Sequence, residues 1–198
     1  MPRAAQASCP WPRGHVFRLL DDEEERCAMA IVRSVRRIVV SGGASGLLGG
    51  LLMALVLASR AVIAGAAPLA PFALFGSSLL ATSSPGSHAT SVVLGLVVHV
   101  TVSLFFGMAF SAIVGRRRSG LALGWLATGL AATFVVMLVM TFGVVPVVAP
   151  TLYDGIARDW PTWVVAHVGY GVGLAFEPLW RRSLVALHAP RPRDVASA

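Results

Sequence analysis

The sequence predicts an all-α integral membrane protein in which four membrane-spanning helices form a bundle. Hydrophobic residues make up 56% of the 198 residues, charged residues only 13%, and the mean hydropathy is +0.76. Soluble domains usually carry about 25% charged residues, so this composition excludes a soluble globular enzyme. Four almost uncharged windows each fall within the roughly 17–25 residues that a spanning helix needs. They cover residues 38–58, 92–114, 121–145 and 163–179.

The positions of the basic residues predict the orientation of the four spans. All 16 basic residues are Arg, and they cluster before the first span, between the second and third, and after the fourth. Because an excess of Arg marks the cytoplasmic side, both termini are expected to be cytoplasmic. The absence of Lys and Asn is typical of a GC-rich genome, so we expect the plasma (inner) membrane of a bacterium. We attribute the net charge of +7 to contact with the lipid bilayer, and we expect no nucleic-acid partner.

The spans lie in a predicted membrane domain, residues 38–182, between a cytoplasmic N-terminal tail, residues 1–37, and a C-terminal tail, residues 183–198. The N-terminal tail differs in composition from the rest, since it holds five consecutive acidic residues from Asp21 to Glu25. Met29 opens a segment that is typical of a bacterial N-terminus leading into a first span. We therefore expect translation to start at Met29, and a disordered tail is the alternative.

The two halves of the membrane domain predict an internal repeat of two helical hairpins. Residues 44–47, Ala-Ser-Gly-Leu, match residues 127–130, Ala-Thr-Gly-Leu. Each of these helices leads into a proline-containing segment, and the next helix carries one histidine, His99 or His167. We also expect a short interfacial helix over residues 71–81.

Small residues spaced four apart predict close helix packing. Residues at i and i+4 share a helix face, and small residues there let two backbones approach within lipid. The predicted packing residues are Gly42, Gly46, Gly50, Ser103, Gly107 and Gly171. Packing within one chain is the first interpretation, and the seam of a homo-oligomer is the alternative.

Side chains at similar depth in the bundle form the candidate functional site. They are the two histidines and three methionines: His99, His167, Met53, Met137 and Met140. Ionisable residues inside a membrane are functional candidates. The simplest interpretation is a pair of interhelical hydrogen bonds, with no cofactor. A proton or ligand relay is a second interpretation, and ligation of haem or copper by imidazole and thioether is a third.

Two charged pairs are expected at the ends of the bundle. Glu177 is the only acidic residue inside a predicted span, and we expect it to pair at the inner surface with the cluster Arg116, Arg117 and Arg118. A proton-coupling carboxylate is the alternative for Glu177. At the opposite end, Arg60 is expected to meet Asp154 or Asp159.

The second half of the chain resembles a group of small uncharacterised bacterial multi-pass membrane proteins with four spans. The similarity covers residues 126–176 and consists of a glycine-rich third span, a proline-containing outer loop and a final helix with a His-x-x-x-Gly motif. The resemblance implies the fold and no activity. We therefore expect a non-enzymatic membrane protein that acts as a complex subunit, a scaffold or a small carrier. A bis-histidine haem- or metal-binding redox protein is the alternative.

Overall fold

The computed structural model describes residues 19–80, 88–114 and 122–187, and these ranges contain helices and no strand. The chain divides into two units, Met1–Arg37 and Ile38–Ala198. Within the first unit, α1 covers Leu19–Arg37. The second unit holds all the elements that follow, and their bounds are: π1, a π-helical turn, Ile38–Gly42; α2, Gly43–Ile63; α3, Ala70–Leu80; α4, His88–Val114; α5, Ala122–Leu138; π2, a second π-helical segment, Val139–Val144; α6, Val145–Val148; α7, Pro150–Arg158; α8, Trp160–Ala175; and α9, Glu177–Leu187.

Three helical stretches in the described ranges are long and apolar enough to cross a membrane. They are Ala28–Ile63, His88–Val114 and Ala122–Val148. These stretches contain the first two predicted windows and nearly all of the third. The finding supports a multi-pass helical membrane protein, because a spanning helix needs about 20 residues of predominantly apolar chain.

The fourth predicted window, residues 163–179, is not one continuous helix. α8 has 16 residues and is therefore about 24 Å long. The helix is interrupted at Phe176, where the backbone angles are φ −79° and ψ −5°, and α9 starts at the next residue. Pro178 gives the physical reason, since proline has no N–H to donate to the carbonyl of Leu174, four residues earlier, and its ring clashes with that carbonyl.

Helix α2 lies between α4 and α8, and glycines make both contacts close. Just before α2, a Cβ at Gly42, the last residue of π1, would lie 2.7 Å from the carbonyl oxygen of Gly107 on α4. On the other side of α2, a Cβ at Gly49 would lie 2.7 Å from the carbonyl oxygen of Tyr170 on α8. Real Cβ atoms do not approach a backbone oxygen this closely, so these crossings require glycine.

The other predicted packing residues also lie at contacts within the chain. A Cβ at Gly46 would clash with the carbonyl oxygen of Ser103, and Gly50 faces the side chain of Ser103. Gly171 of α8 packs against Gly129 of α5. These faces are therefore occupied within the chain. Gly124 on α5 differs, because no atom of the described residues would lie within 4 Å of a Cβ at this position.

The connections between the long helices carry short helices. α3 packs along α4, where Gly95 approaches the backbone of Phe72, and it covers almost the whole helix expected over residues 71–81. α7 lies in the corresponding connection of the second half, and the hydroxyl groups of Ser78 and Thr151 lie 2.9 Å apart. The two halves differ in packing, because α2 contacts both α4 and α8 whereas the main partner of α5 is α8.

The buried core and the exposed apolar surface are both rich in hydrophobic side chains. Met137, Leu152, Trp163 and Leu174 are buried in one cluster. Large apolar side chains on the outer faces of α2, α4 and α5 are exposed, among them Leu51, Leu55, Phe105, Phe134 and Val135. A helical bundle with an apolar exterior is the arrangement that a lipid environment requires.

Candidate functional site

A cavity of about 190 Å³, partly open to the outside, lies between the helices of the bundle. Its walls come from α2, α3, α4, α7 and α8, and from the continuous stretch of α5, π2 and α6. Most of the lining side chains are apolar. The polar lining residues are His99 and Ser103 of α4, and His167 and Tyr170 of α8. The structure therefore brings the two predicted histidines to one cavity.

The imidazole of His99 is held by a backbone carbonyl and an aromatic ring. Its Nε2 donates a hydrogen bond to the carbonyl oxygen of Gly50 on α2, at 2.9 Å. The ring of Phe72 meets the imidazole edge-on, with 5.4 Å between centroids. Because a carbonyl only accepts, Nε2 carries the proton, and Nδ1 of the neutral ring is an acceptor.

The imidazole of His167 bonds within its own helix, α8, so the interhelical hydrogen bond expected for this residue is wrong. Its Nδ1 donates to the carbonyl oxygen of Trp163 at 2.9 Å, and the two rings are 4.6 Å apart in an edge-on arrangement. The residue is buried. Here the second nitrogen, Nε2, is the acceptor of the neutral ring. Each histidine thus donates to a carbonyl and keeps one acceptor nitrogen.

Tyr170 and Ser103 complete the polar lining. The hydroxyl of Tyr170 donates to the carbonyl oxygen of Ser103 at 2.9 Å, which joins α8 to α4. Tyr170 is not among the site residues predicted from the sequence. Its spacing of three residues from His167 places both on one face of α8, and this spacing was the available signal.

The three predicted methionines divide between the cavity and the core. Met53 of α2 and Met140 of π2 line the cavity. Met137 does not line it, and its side chain is fully buried in the core cluster. Two thioethers and two imidazoles therefore share one cavity.

A tryptophan near the start of α8 is also part of this site. Trp163 is buried, and its indole N–H donates to the hydroxyl of Thr141 at 2.9 Å. Thr141 belongs to π2, and single π-helical turns are frequent at functional sites. The hydrogen bond fixes the Trp163 ring in the wall of the cavity.

A second, wider cavity of about 450 Å³ adjoins the first. Three residues line both cavities and separate them: Phe75, Leu152 and Trp163. Arg60 and Asp159 lie at the wider cavity and form an ion pair, with 3.0 Å between Nε and Oδ2. This pair confirms the expectation that Arg60 meets Asp159. We call the wider cavity the vestibule.

A buried polar cluster lies near the opposite end of the bundle. Glu177 is 1% exposed, and its Oε1 accepts hydrogen bonds from Ser111 at 2.8 Å and from Ser41 at 3.2 Å. Arg181, one turn further along α9, pairs with the same oxygen. Oε2 is buried without a hydrogen-bond partner among the described residues. The predicted partners, Arg116, Arg117 and Arg118, lie outside the described residues.

The volume of the cavity does not fit haem, whereas its donor atoms are compatible with copper. In the described ranges no group of three or more His, Cys, Asp or Glu residues could hold a metal ion. A cavity of about 190 Å³ is below the roughly 300–1,000 Å³ of pockets for drug-sized ligands, and a haem macrocycle does not fit it. Copper remains chemically compatible with imidazole and thioether donors. Hydrogen bonds from ligand imidazoles to carbonyls are also common at metal sites.

Comparisons with known proteins give no relative for this chain. No protein-family model, curated protein or solved structure matches it.

Proposed function

We propose that this protein is a non-enzymatic, multi-pass protein of a bacterial plasma membrane that binds a small molecule in its intramembrane cavity, as a small carrier does. The cavity lined by His99 and His167 is the observation that carries the proposal. Ligand sites are concave and mostly apolar, with a few polar groups that orient the ligand, and this description fits the cavity. The adjoining vestibule offers a route toward one end of the bundle.

The proposed fold has four spans in two hairpins, α2 with α4 and α5 with α8. The fourth span consists of α8 continued by α9, because α8 alone is about 24 Å long and a bilayer core is about 30 Å thick. The Arg clusters favour cytoplasmic termini. The vestibule with Arg60 and Asp159 then opens on the outer side, and Glu177 lies near the inner surface.

Binding of a small apolar probe tests the proposal. The protein in nanodiscs is titrated with 4-fluorotoluene, and bound probe is measured by ¹⁹F NMR against empty nanodiscs. We expect a bound signal for the native protein and its loss in Val98→Phe, because Val98 lines the cavity. The matched control is Val97→Phe, since Val97 is 56% exposed on the same helix. Equal binding by both variants would contradict the proposal.

A copper-binding redox protein is a second candidate function. The observation that favours it is the pair of imidazoles, each oriented by a carbonyl, beside Met53 and Met140. Competition for Cu(I) with a chromogenic chelator tests it. This candidate predicts weaker Cu(I) binding in Met140→Leu and in His167→Phe, whereas unchanged binding in both variants contradicts it.

A further inference from the structure

The volume of the cavity limits the size of its ligand. An apolar cavity of about 150 Å³ is known to hold one benzene molecule. The cavity here, at about 190 Å³, has room for a single six-membered ring with one small substituent. A fused ring system would exceed this volume and would extend past the exposed lining residues Val144 and Val148.

The shape of the lining favours a flat aromatic ring. Four aromatic side chains line the cavity: Phe75, Phe106, Trp163 and Tyr170. Aromatic rings prefer offset or edge-on contacts with other aromatic rings, and such pairs contribute beyond the apolar area that they bury. Trp163 is fixed by its bond to Thr141, and Tyr170 by its bond to Ser103. These two walls are therefore preorganised.

The polar groups of the cavity favour a ligand that brings a hydrogen-bond donor. One ring nitrogen of each histidine already donates to a carbonyl, and the hydroxyl of Tyr170 does the same. The remaining ring nitrogens, Nδ1 of His99 and Nε2 of His167, are acceptors without a partner among the described residues. Ser103 contributes a hydroxyl that can donate or accept. A ligand hydroxyl can thus donate to an imidazole and accept from Ser103.

From these three observations we infer that the cavity binds a neutral, single-ring aromatic molecule carrying a hydroxyl group, that is, a ligand of the phenol class. The inference rests on the proposed function and adds the ligand class to it. The hydroxyl pairs with the imidazole acceptors, and the ring packs among the aromatic side chains. Passage from the vestibule runs past Phe75, Leu152 and Trp163, the residues that line both cavities.

Paired ligands test the hydroxyl and the ring separately. The full chain in nanodiscs is titrated with 4-fluorophenol, 4-fluorotoluene and 4-fluorocyclohexanol, with ¹⁹F NMR as the readout and empty nanodiscs as the control for partition into lipid. The native protein gains one net hydrogen bond with the hydroxylated ligand, so we expect 4-fluorophenol to bind about fivefold more tightly than 4-fluorotoluene. We expect 4-fluorocyclohexanol to bind more weakly than 4-fluorophenol.

Variants of the two histidines, with Val97→Phe as the control, assign the preference to the imidazoles. In His99→Phe and in His167→Phe, the ratio of the affinities for 4-fluorophenol and 4-fluorotoluene should fall toward onefold. Val97→Phe should keep the ratio of the native protein, because Val97 is 56% exposed on the same helix as His99 and does not line the cavity.

The outcomes separate the inference from the proposed function. If 4-fluorotoluene and 4-fluorophenol bind equally well to the native protein, the phenol-class inference is wrong and the cavity remains a ligand site. If 4-fluorocyclohexanol matches 4-fluorophenol, the aromatic part of the inference is wrong. If no probe binds beyond the empty nanodiscs, both the inference and the proposed function fail. The ligand comparison on the native protein decides the inference even where a histidine variant does not fold.

Discussion

Replacement of Glu177 by Gln tests the buried polar cluster near the end of α8. Glu177 is 1% exposed, and one of its oxygens accepts from Ser41, Ser111 and Arg181. Removing one partner of a buried ion pair costs about 3–5 kcal/mol, because the other charge is left uncompensated. The side chain of Arg181 is 24% exposed, so water partly solvates the charge that remains. We therefore expect Glu177→Gln to lower the free energy of unfolding by about 2 kcal/mol.

Equilibrium unfolding in mixed micelles of a mild detergent and dodecyl sulfate measures this loss. The matched control is Arg182→Gln, which removes an exposed charge from the same helix and should change stability by less than about 0.5 kcal/mol. In the double variant with Arg181→Gln, the loss in the free energy of unfolding should be about 1 kcal/mol smaller than the sum of the two single losses, because the two residues are coupled. A change below about 0.5 kcal/mol for Glu177→Gln, or strict additivity in the double variant, would refute the reasoning. Lost ligand movement with unchanged stability would instead favour a proton-coupling role for Glu177.

Three further predictions concern packing, the histidines and the surface ion pair. Gly107→Ala should lower the free energy of unfolding by about 2 kcal/mol, because the new Cβ would meet the backbone of α2. Gly124→Ala, at an open position, should be neutral or slightly stabilising, and the same unfolding assay compares the two variants. His167→Ala should lower the free energy of unfolding by about 1 kcal/mol, the net contribution of one hydrogen bond, because it removes the bond from Nδ1 to the carbonyl of Trp163 within α8; no loss in the same unfolding assay would contradict this. Arg60→Ala should cost less than about 1 kcal/mol because the pair with Asp159 is exposed, and a loss that persists at high salt would contradict this interpretation.

The long apolar helices were predictable from sequence, because their signal is local composition. The predicted windows 92–114 and 121–145 correspond closely to the stretches His88–Val114 and Ala122–Val148. The break at Phe176 also had a local signal, the following Glu-Pro pair. A hydropathy window averages over that pair, so it predicts one continuous helix over residues 163–179.

The candidate site was predictable only in part. The two histidines stood out because ionisable residues are rare in apolar helices. The role of Trp163 depends on its hydrogen bond to Thr141, a contact between α8 and π2 that only the packed structure creates. Neither π-helical segment has a clear sequence signal. The partner of Glu177 did have a sequence signal, because Arg181 lies four residues later on the same helix face.

Contacts between a bound ligand and the two imidazoles test the central claim most directly. The protein is labelled with ¹³C-histidine, reconstituted in nanodiscs with 4-fluorophenol, and examined for intermolecular nuclear Overhauser effects. The five histidines are assigned by single substitutions. The account predicts cross-peaks from the ligand ring to both His99 and His167, which are absent in Val98→Phe. Cross-peaks from the ligand to lipid alone, or to histidines outside the cavity, would contradict it.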